Sequence, residues 1–169
     1  LQKNESETYY QFIQRINNSD IKLTKNSASW DLSIEGVQEF NELYKSNPST
    51  YYFSYSTSST TSKSNSLQHV PNSKMSYALR PTAQLIGNDR NARDSLWYEN
   101  DGLVNTISMN GPHDENIIKY HEFPTPGVWQ DMGVLYYDHH QILLRKITDQ
   151  DRDELMKLYI NHCQLLYTL

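Results

Sequence analysis

The spacing of apolar residues predicts three helices. Over residues 7–17, 33–45 and 149–169, apolar side chains recur at the helical period, so each helix has one apolar face. Ser33 is the predicted N-cap of the second helix, because its hydroxyl can accept a hydrogen bond from a free amide of the first turn. The residues that share one face are, helix by helix, Tyr9, Phe12, Ile13 and Ile16; Val37, Phe40, Leu43 and Tyr44; and Leu155, Leu158, Tyr159, His162, Leu165 and Leu166. Those of the second helix are predicted to form a buried stripe.

Two segments have the composition of β-strands. Residues 50–55 are dense in aromatic and β-branched side chains, and residues 127–136 contain a mainly apolar run. The serine- and threonine-rich tract at 54–66 is predicted to be an exposed loop. Helices that alternate with strands predict an α/β fold. Because two strands make a poor sheet by themselves, we expect the sheet to have further strands outside this chain.

Composition narrows the class of protein. A chain of 169 residues is long enough for one domain with a core. The net charge of −5, without a basic block, argues against nucleic acid as a partner. The sequence has no apolar run long enough to predict a transmembrane segment. Two short glycosylation acceptor patterns, at Asn4 and Asn17, give weak support to a secreted protein.

An aspartate and a histidine carry the candidate chemistry. Asp101 lies in an acidic turn that leads into an apolar stretch, and His139 follows the apolar run at 128–135. Each string alone is typical of a turn or a surface loop, but the two residues are 38 positions apart, which leaves room for a connection and a strand. A buried carboxylate that accepts the Nδ1 proton of a histidine leaves Nε2 free to act as a base. Asp before His is also the order of the last two members of a Ser, Asp, His triad.

The nucleophile of such a triad has no candidate motif. No G-x-S-x-G string occurs, since no two of the glycines at 36, 87, 102, 111, 127 and 133 are four positions apart. The sequence therefore predicts the C-terminal part of an enzyme whose first part lies outside this chain.

Several longer strings match a known family in order and near its spacing. They are Trp30–Ser33, Ser49–Tyr52, Trp97–Thr106, Ser108–Pro112, Gly127–Gly133 and Asp138–His139. With these strings the chain resembles the C-terminal part of the secreted triacylglycerol lipases of staphylococci and thermophilic bacilli, which are α/β-hydrolases. The resemblance covers almost the whole chain.

The resemblance implies that two segments of one enzyme supply the catalytic residues. Residues 1–169 would be the C-terminal segment of a single α/β-hydrolase domain, with Asp101 as the triad acid and His139 as the triad base. The serine nucleophile, the oxyanion hole and a helical lid would come from an N-terminal segment of the same enzyme. The implied substrate is a long-chain acyl ester such as a triacylglycerol, and the implied location is extracellular.

The metal sites implied by the resemblance are expected to be lost. Where the family often binds calcium through acidic residues just after the catalytic histidine, this chain has Gln141 and Lys146. A lysine repels Ca²⁺, which needs several anionic or carbonyl oxygens. Near the position of the family's zinc-binding aspartate the chain has Asn26, and asparagine is a poor zinc ligand. We therefore predict neither a metal nor any other cofactor.

Two alternatives remain open from the sequence. The first is another enzyme on the same scaffold, such as a phospholipase, a galactolipase or an acyltransferase, because most of the acyl pocket would lie upstream. The second is a non-catalytic remnant that binds a lipid or a protein. Retention of Asp101 and His139 counts against this second alternative.

Overall fold

The computed structural model of the protein describes residues 4, 6–8, 11, 15, 28–31, 33–90, 92 and 94–169. Most of the helix predicted at 7–17 lies outside the described residues, including all four of its apolar positions. Asn26, the residue near the implied zinc site, lies outside them as well.

Helices and strands alternate along the described chain. The helices are α1 (Ala28–Asp31), α2 (Ile34–Leu43), α3 (Arg80–Ile86) and α4 (Asp149–Tyr167), with two short 3₁₀ helices at Ser95–Trp97 and Thr106–Met109. The strands are β1 (Tyr52–Thr57), β2 (Thr60–Ser62), β3 (His69–Pro71), β4 (Ile117–Lys119) and β5 (Trp129–Leu135). The predicted α/β class is confirmed.

A three-stranded parallel sheet in the order β1-β5-β4 forms the centre of the fold. Tyr52 of β1 and Ile117 of β4 both lie opposite Trp129 of β5. The two predicted strands are therefore neighbours in the sheet. Strand β4 was not predicted, because the polar segment at 113–126 has no strand pattern. Within the described residues, β1 has β5 as its one neighbour in this sheet.

A bulge bends β5 as it approaches the candidate residues. Ser54 pairs with Asp131 and Ser56 pairs with Val134, so β5 carries one extra residue between these pairs. Gly133 lies there with a φ of +93°, which glycine adopts without the steric penalty of a side chain. The carboxylate of Asp131 accepts a hydrogen bond from the Gly133 amide at 2.8 Å. Bulges of this kind increase local twist and redirect the residues that follow.

The prediction of an exposed loop at 54–66 is wrong for its first half. Much of this part extends β1 and enters β2, and its buried side chains are Ser54, Ser56, Thr57, Ser58, Ser59 and Thr60. Small hydroxyl side chains can be buried when they find hydrogen-bond partners, and of these six only the Ser58 hydroxyl has no described partner. The Ser54 hydroxyl, for example, donates to the Asn110 carbonyl oxygen at 2.7 Å. The exposed part is confined to the turn around residues 61–65.

The prediction of a buried stripe on α2 is also wrong for the described chain. The helix and its cap form as expected, since the Ser33 hydroxyl accepts from the Gly36 amide at 3.0 Å. Val37, Phe40, Leu43 and Tyr44 are nevertheless 43–70% exposed. A helical period shows that an apolar face exists, but it does not show what covers that face.

The buried apolar side chains of the described residues fall in two places. Met75, Leu79 and Ala83 form one cluster around α3, a helix that the weakly patterned sequence at 75–86 did not predict. Leu155 is buried on α4. None of the described helices combines the length and hydrophobicity needed to cross a bilayer.

Helix α4 is linked to the sheet through a histidine. The Nδ1 atom of His162 lies 3.1 Å from the Tyr55 hydroxyl, and its ring lies edge-on to Phe53 and Tyr55. Burial raises the pKa of Tyr55, and the nearby Tyr120 raises it further. The position of His162 is therefore that of a packing residue on the sheet.

We expect Leu155→Ala to lower the free energy of unfolding by roughly 2–5 kcal/mol, because it leaves a cavity at a side chain that is 1% exposed. Leu166→Ala is the matched control on the same helix, since Leu166 is 48% exposed. Urea unfolding of the polypeptide that contains this chain is the measurement. Equal losses for the two variants would contradict the packing of α4.

Candidate active site

Asp101 lies in a tight turn that is stabilised by backbone contacts between the residues on its two sides. Asn100 and Asn105 form a β-bridge across the turn, and the Asp101 amide donates to the Val104 carbonyl oxygen at 3.2 Å. Gly102 has a φ of +105°, and a Cβ atom there would lie 2.7 Å from the Cβ of Leu79. The turn therefore needs glycine at this position for two reasons, its backbone conformation and its close approach to the core.

Asn100 fixes this turn to the body of the protein. Its buried side-chain amide donates to the carbonyl oxygens of Ala83 at 3.1 Å and Tyr98 at 2.9 Å. Its side-chain oxygen accepts from the Gly102 amide at 2.9 Å. The sequence analysis did not single out Asn100, because an Asn beside an Asp-Gly turn is typical of any tight turn.

The carboxylate of Asp101 is buried and fully engaged. Its Oδ1 atom accepts hydrogen bonds from the amides of Leu103 at 3.0 Å and Val104 at 2.9 Å. Its Oδ2 atom accepts from the Thr57 hydroxyl at 2.8 Å and from Nδ1 of His139 at 2.9 Å. A buried carboxylate without such partners would carry a large desolvation penalty.

His139 meets Asp101 through its backbone and its ring. The His139 amide donates to the Asp101 carbonyl oxygen at 3.0 Å, in addition to the contact between the ring and the carboxylate. The His139 side chain is 36% exposed, whereas that of Asp101 is 1% exposed. The histidine therefore bridges a buried charge and the protein surface.

This geometry determines which ring nitrogen is free. An ionised carboxylate can only accept, so Nδ1 of His139 must carry the shared proton. Neutral imidazole then has its lone pair on Nε2, and no described residue forms a hydrogen bond with that atom. The expected contact between the two candidate residues is present. Their catalytic roles remain a prediction.

Asp138 organises the loop that carries His139. Its buried carboxylate accepts from the amides of Ser76 at 2.6 Å, His140 at 2.8 Å and Gln141 at 2.8 Å. These contacts direct the Asp138 carboxylate to backbone amides rather than to the His139 ring. They also join the loop to the segment before α3. The number of amides that Asp138 would engage had no signal in the sequence.

The residues after His139 do not offer the ligand set that calcium prefers. The Gln141 side chain is buried, and its oxygen accepts from the Asp138 amide at 2.8 Å, so this oxygen is already engaged within the loop. Lys146 is exposed, and its charge is wrong for a cation site. Within the described part of the chain, no three His, Cys, Asp or Glu side chains are grouped so that they could hold a metal ion. The donor set does not fit the implied metal.

Comparison with known proteins places this chain in a family. The sequence profile described as "Lipase-like, C-terminal domain" matches residues 1–167. The chain belongs to this lipase family. The sequence-based resemblance is therefore confirmed at the level of the family.

Individual relatives of this lipase-family chain are longer proteins. It is 30% identical to the lipase of Staphylococcus epidermidis and 27% identical to lipase 1 of Staphylococcus aureus (strain NCTC 8325 / PS 47), over 162 residues in each case. Each match covers 94% of this chain and 23% of the relative. The chain thus spans about a quarter of the length of the curated relatives it matches.

Solved structures support the same assignment of the fold. The crystal structure of Staphylococcus hyicus lipase matches with a TM-score of 0.73 at 26% identity, over 98% of this chain and 43% of that one. The structure of EstA from Clostridium botulinum matches with a TM-score of 0.69 at 32% identity, over 91% of this chain and 40% of that one. The fold is that of the C-terminal portion of an α/β-hydrolase.

We expect added calcium to leave the melting temperature unchanged, because the oxygen of Gln141 is engaged within its loop and Lys146 repels cations. Thermal melting of the polypeptide that contains this chain, with calcium and with chelator, is the measurement. A clear rise with calcium that disappears in Gln141→Ala would contradict this expectation, since a ligand that binds the native state raises its stability.

Proposed function

We propose that this chain supplies the acid and the base of a Ser-His-Asp triad that hydrolyses long-chain acyl esters, such as triacylglycerols. Asp101 would be the acid and His139 the base. The observation that carries the proposal is the contact of 2.9 Å between Nδ1 of His139 and a buried carboxylate, with Nε2 free of described partners. Membership of a lipase family supports the same reaction class.

In the proposed reaction, His139 moves one proton in each half. Its Nε2 atom would accept the proton of the serine hydroxyl as the serine oxygen attacks the ester carbonyl carbon. The resulting imidazolium would be stabilised by the charge of Asp101, and it would then give the proton to the departing alcohol. Water would repeat the sequence on the acyl-enzyme, which releases the fatty acid and restores the serine.

The nucleophile is proposed to lie in an N-terminal segment of the same enzyme. Among the described residues, no hydroxyl or thiol bonds to Nε2 of His139, and the relatives extend well beyond the matched region. We propose that this segment also supplies the oxyanion hole and the lid. Residues 1–169 would then be the C-terminal segment of a single hydrolase domain, working outside the cell on lipid esters.

Two features of the fold support a further part of the protein packing on this chain. The apolar face of α2 is exposed, and the edge of β1 away from β5 has no described neighbour. Exposed apolar surface and unpaired strand edges both favour association. An N-terminal segment that continued the sheet past β1 would cover that edge.

We expect Asp101→Asn and His139→Ala to lower kcat for a long-chain ester by about 10³-fold or more, because each removes a member of the proton relay. The enzyme should be the gene-encoded polypeptide that contains this chain. The controls are Asp114→Asn and His113→Ala, which alter another contacting His–Asp pair, 3.1 Å apart and exposed. Near-normal kcat in either Asp101→Asn or His139→Ala, with the fold intact, would overturn the proposed triad.

We expect residues 1–169 expressed alone to be insoluble or molten and to lack esterase activity, because the edge of β1 and the face of α2 would remain uncovered. Coexpression with the upstream segment should give a soluble and active enzyme. Solubility, cooperative melting and hydrolysis of a long-chain ester are the measurements. A soluble fragment with full activity would contradict the proposal, since it would require a nucleophile within this chain.

A further inference from the structure

The last residue of β1, Thr57, is in direct contact with Asp101, the candidate acid. Thr57 is 4% exposed, and its hydroxyl lies 2.8 Å from Oδ2 of Asp101. That oxygen is the one that also accepts from Nδ1 of His139. The hydroxyl and the imidazole therefore share a single acceptor atom.

The sheet and the 3₁₀ helix at Thr106–Met109 hold Thr57 in place. Thr57 lies opposite Leu135 of β5, and its carbonyl oxygen accepts from the Thr106 hydroxyl at 2.8 Å. Its amide lies 3.2 Å from Sδ of Met109. The backbone position of Thr57 is thus fixed independently of its contact with Asp101.

The Thr57 hydroxyl has one proton, and it donates this proton in a hydrogen bond to the Asp101 carboxylate. The other acceptor near the hydroxyl is Sδ of Met109 at 3.2 Å, and a thioether is a weak acceptor. A hydrogen bond to an ionised carboxylate is much stronger than one to a neutral group. The geometry therefore makes Thr57 a donor to Asp101.

We propose that Thr57 is a positioning residue. Its hydroxyl orients the Asp101 carboxylate and donates to the same charged oxygen that accepts from His139. This inference rests on the proposed triad. Together with the amides of Leu103 and Val104, the hydroxyl and the imidazole give the carboxylate four donors. An ionised carboxylate has about four lone-pair sites, so the set is complete.

Loss of this hydroxyl has a predictable effect on the histidine. With one donor fewer, more of the negative charge on Oδ2 acts on the imidazolium of His139, which then keeps its proton to higher pH. The carboxylate also loses a contact that fixes its orientation. Both changes act through Asp101, and neither requires Thr57 to touch the substrate.

The test compares Thr57→Val, which removes the hydroxyl at nearly constant shape, with Thr57→Ser, which keeps it. Thr57→Ala is the second hydroxyl-free variant, in case valine prevents folding. Thr61→Val is the matched control, because Thr61 is an exposed threonine on β2. Steady-state kinetics on a soluble long-chain ester across pH, and thermal melting, are measured for the gene-encoded polypeptide that contains this chain.

We expect the hydroxyl-free variants to lose about 10-fold in kcat with little change in KM, as for the loss of one hydrogen bond to a charged group. The acid limb of their pH profile should move to higher pH. Asp101 is the described carboxylate in contact with the His139 ring, so a shift in this limb reports on that pair. Thr57→Ser should restore both properties, and Thr61→Val should resemble the parent enzyme.

Two outcomes would overturn the inference about Thr57. One is a hydroxyl-free variant with a lower melting temperature but unchanged kcat and pH profile, which would make Thr57 purely structural. The other is a Thr57→Ser variant as impaired as Thr57→Val. Inactive Asp101→Asn and His139→Ala variants would leave the proposed triad standing in either case, whereas active ones would reject the triad itself.

Discussion

The buried charge of Asp101 is the constraint on which the rest of the site depends. A carboxylate in this position is tolerated because its four donors come from three separate parts of the chain. The amides belong to its own turn, the hydroxyl to the end of β1, and the imidazole to the loop after β5. Satisfying this one group therefore brings the ends of two neighbouring parallel strands and the acidic turn together.

A second buried carboxylate, that of Asp138, stabilises the loop next to Asp101. Asp138 gathers three backbone amides and shapes the loop from which His139 extends. Adjacent residues thus have different environments, since Asp138 is enclosed within the protein while the His139 ring is 36% exposed. The same loop engages the side-chain oxygen of Gln141 internally, through the Asp138 amide.

The polar character of this chain has a structural origin. Its main strand ends in buried serine and threonine residues, and their hydroxyls bond to backbone and side-chain acceptors in the segments that pack on the sheet. Only a few of the described apolar side chains are fully buried, whereas the aromatic and aliphatic face of α2 is exposed. This distribution is the one expected if another part of the protein contributes the larger share of the core.

The sequence by itself determined the α/β class, the segments that form β1 and β5, the cap of α2, the last helix and the two candidate residues, because these features follow from local periodicity, turn chemistry and short strings. Tertiary structure decided the burial of the tract after Tyr55, the exposure of α2, and the roles of Asn100, Asp138 and Thr57. A hydroxyl or an amide gives no periodic signal, and its importance depends on which distant group it meets. The packing of the sheet determines that partner, and local sequence patterns do not predict this packing.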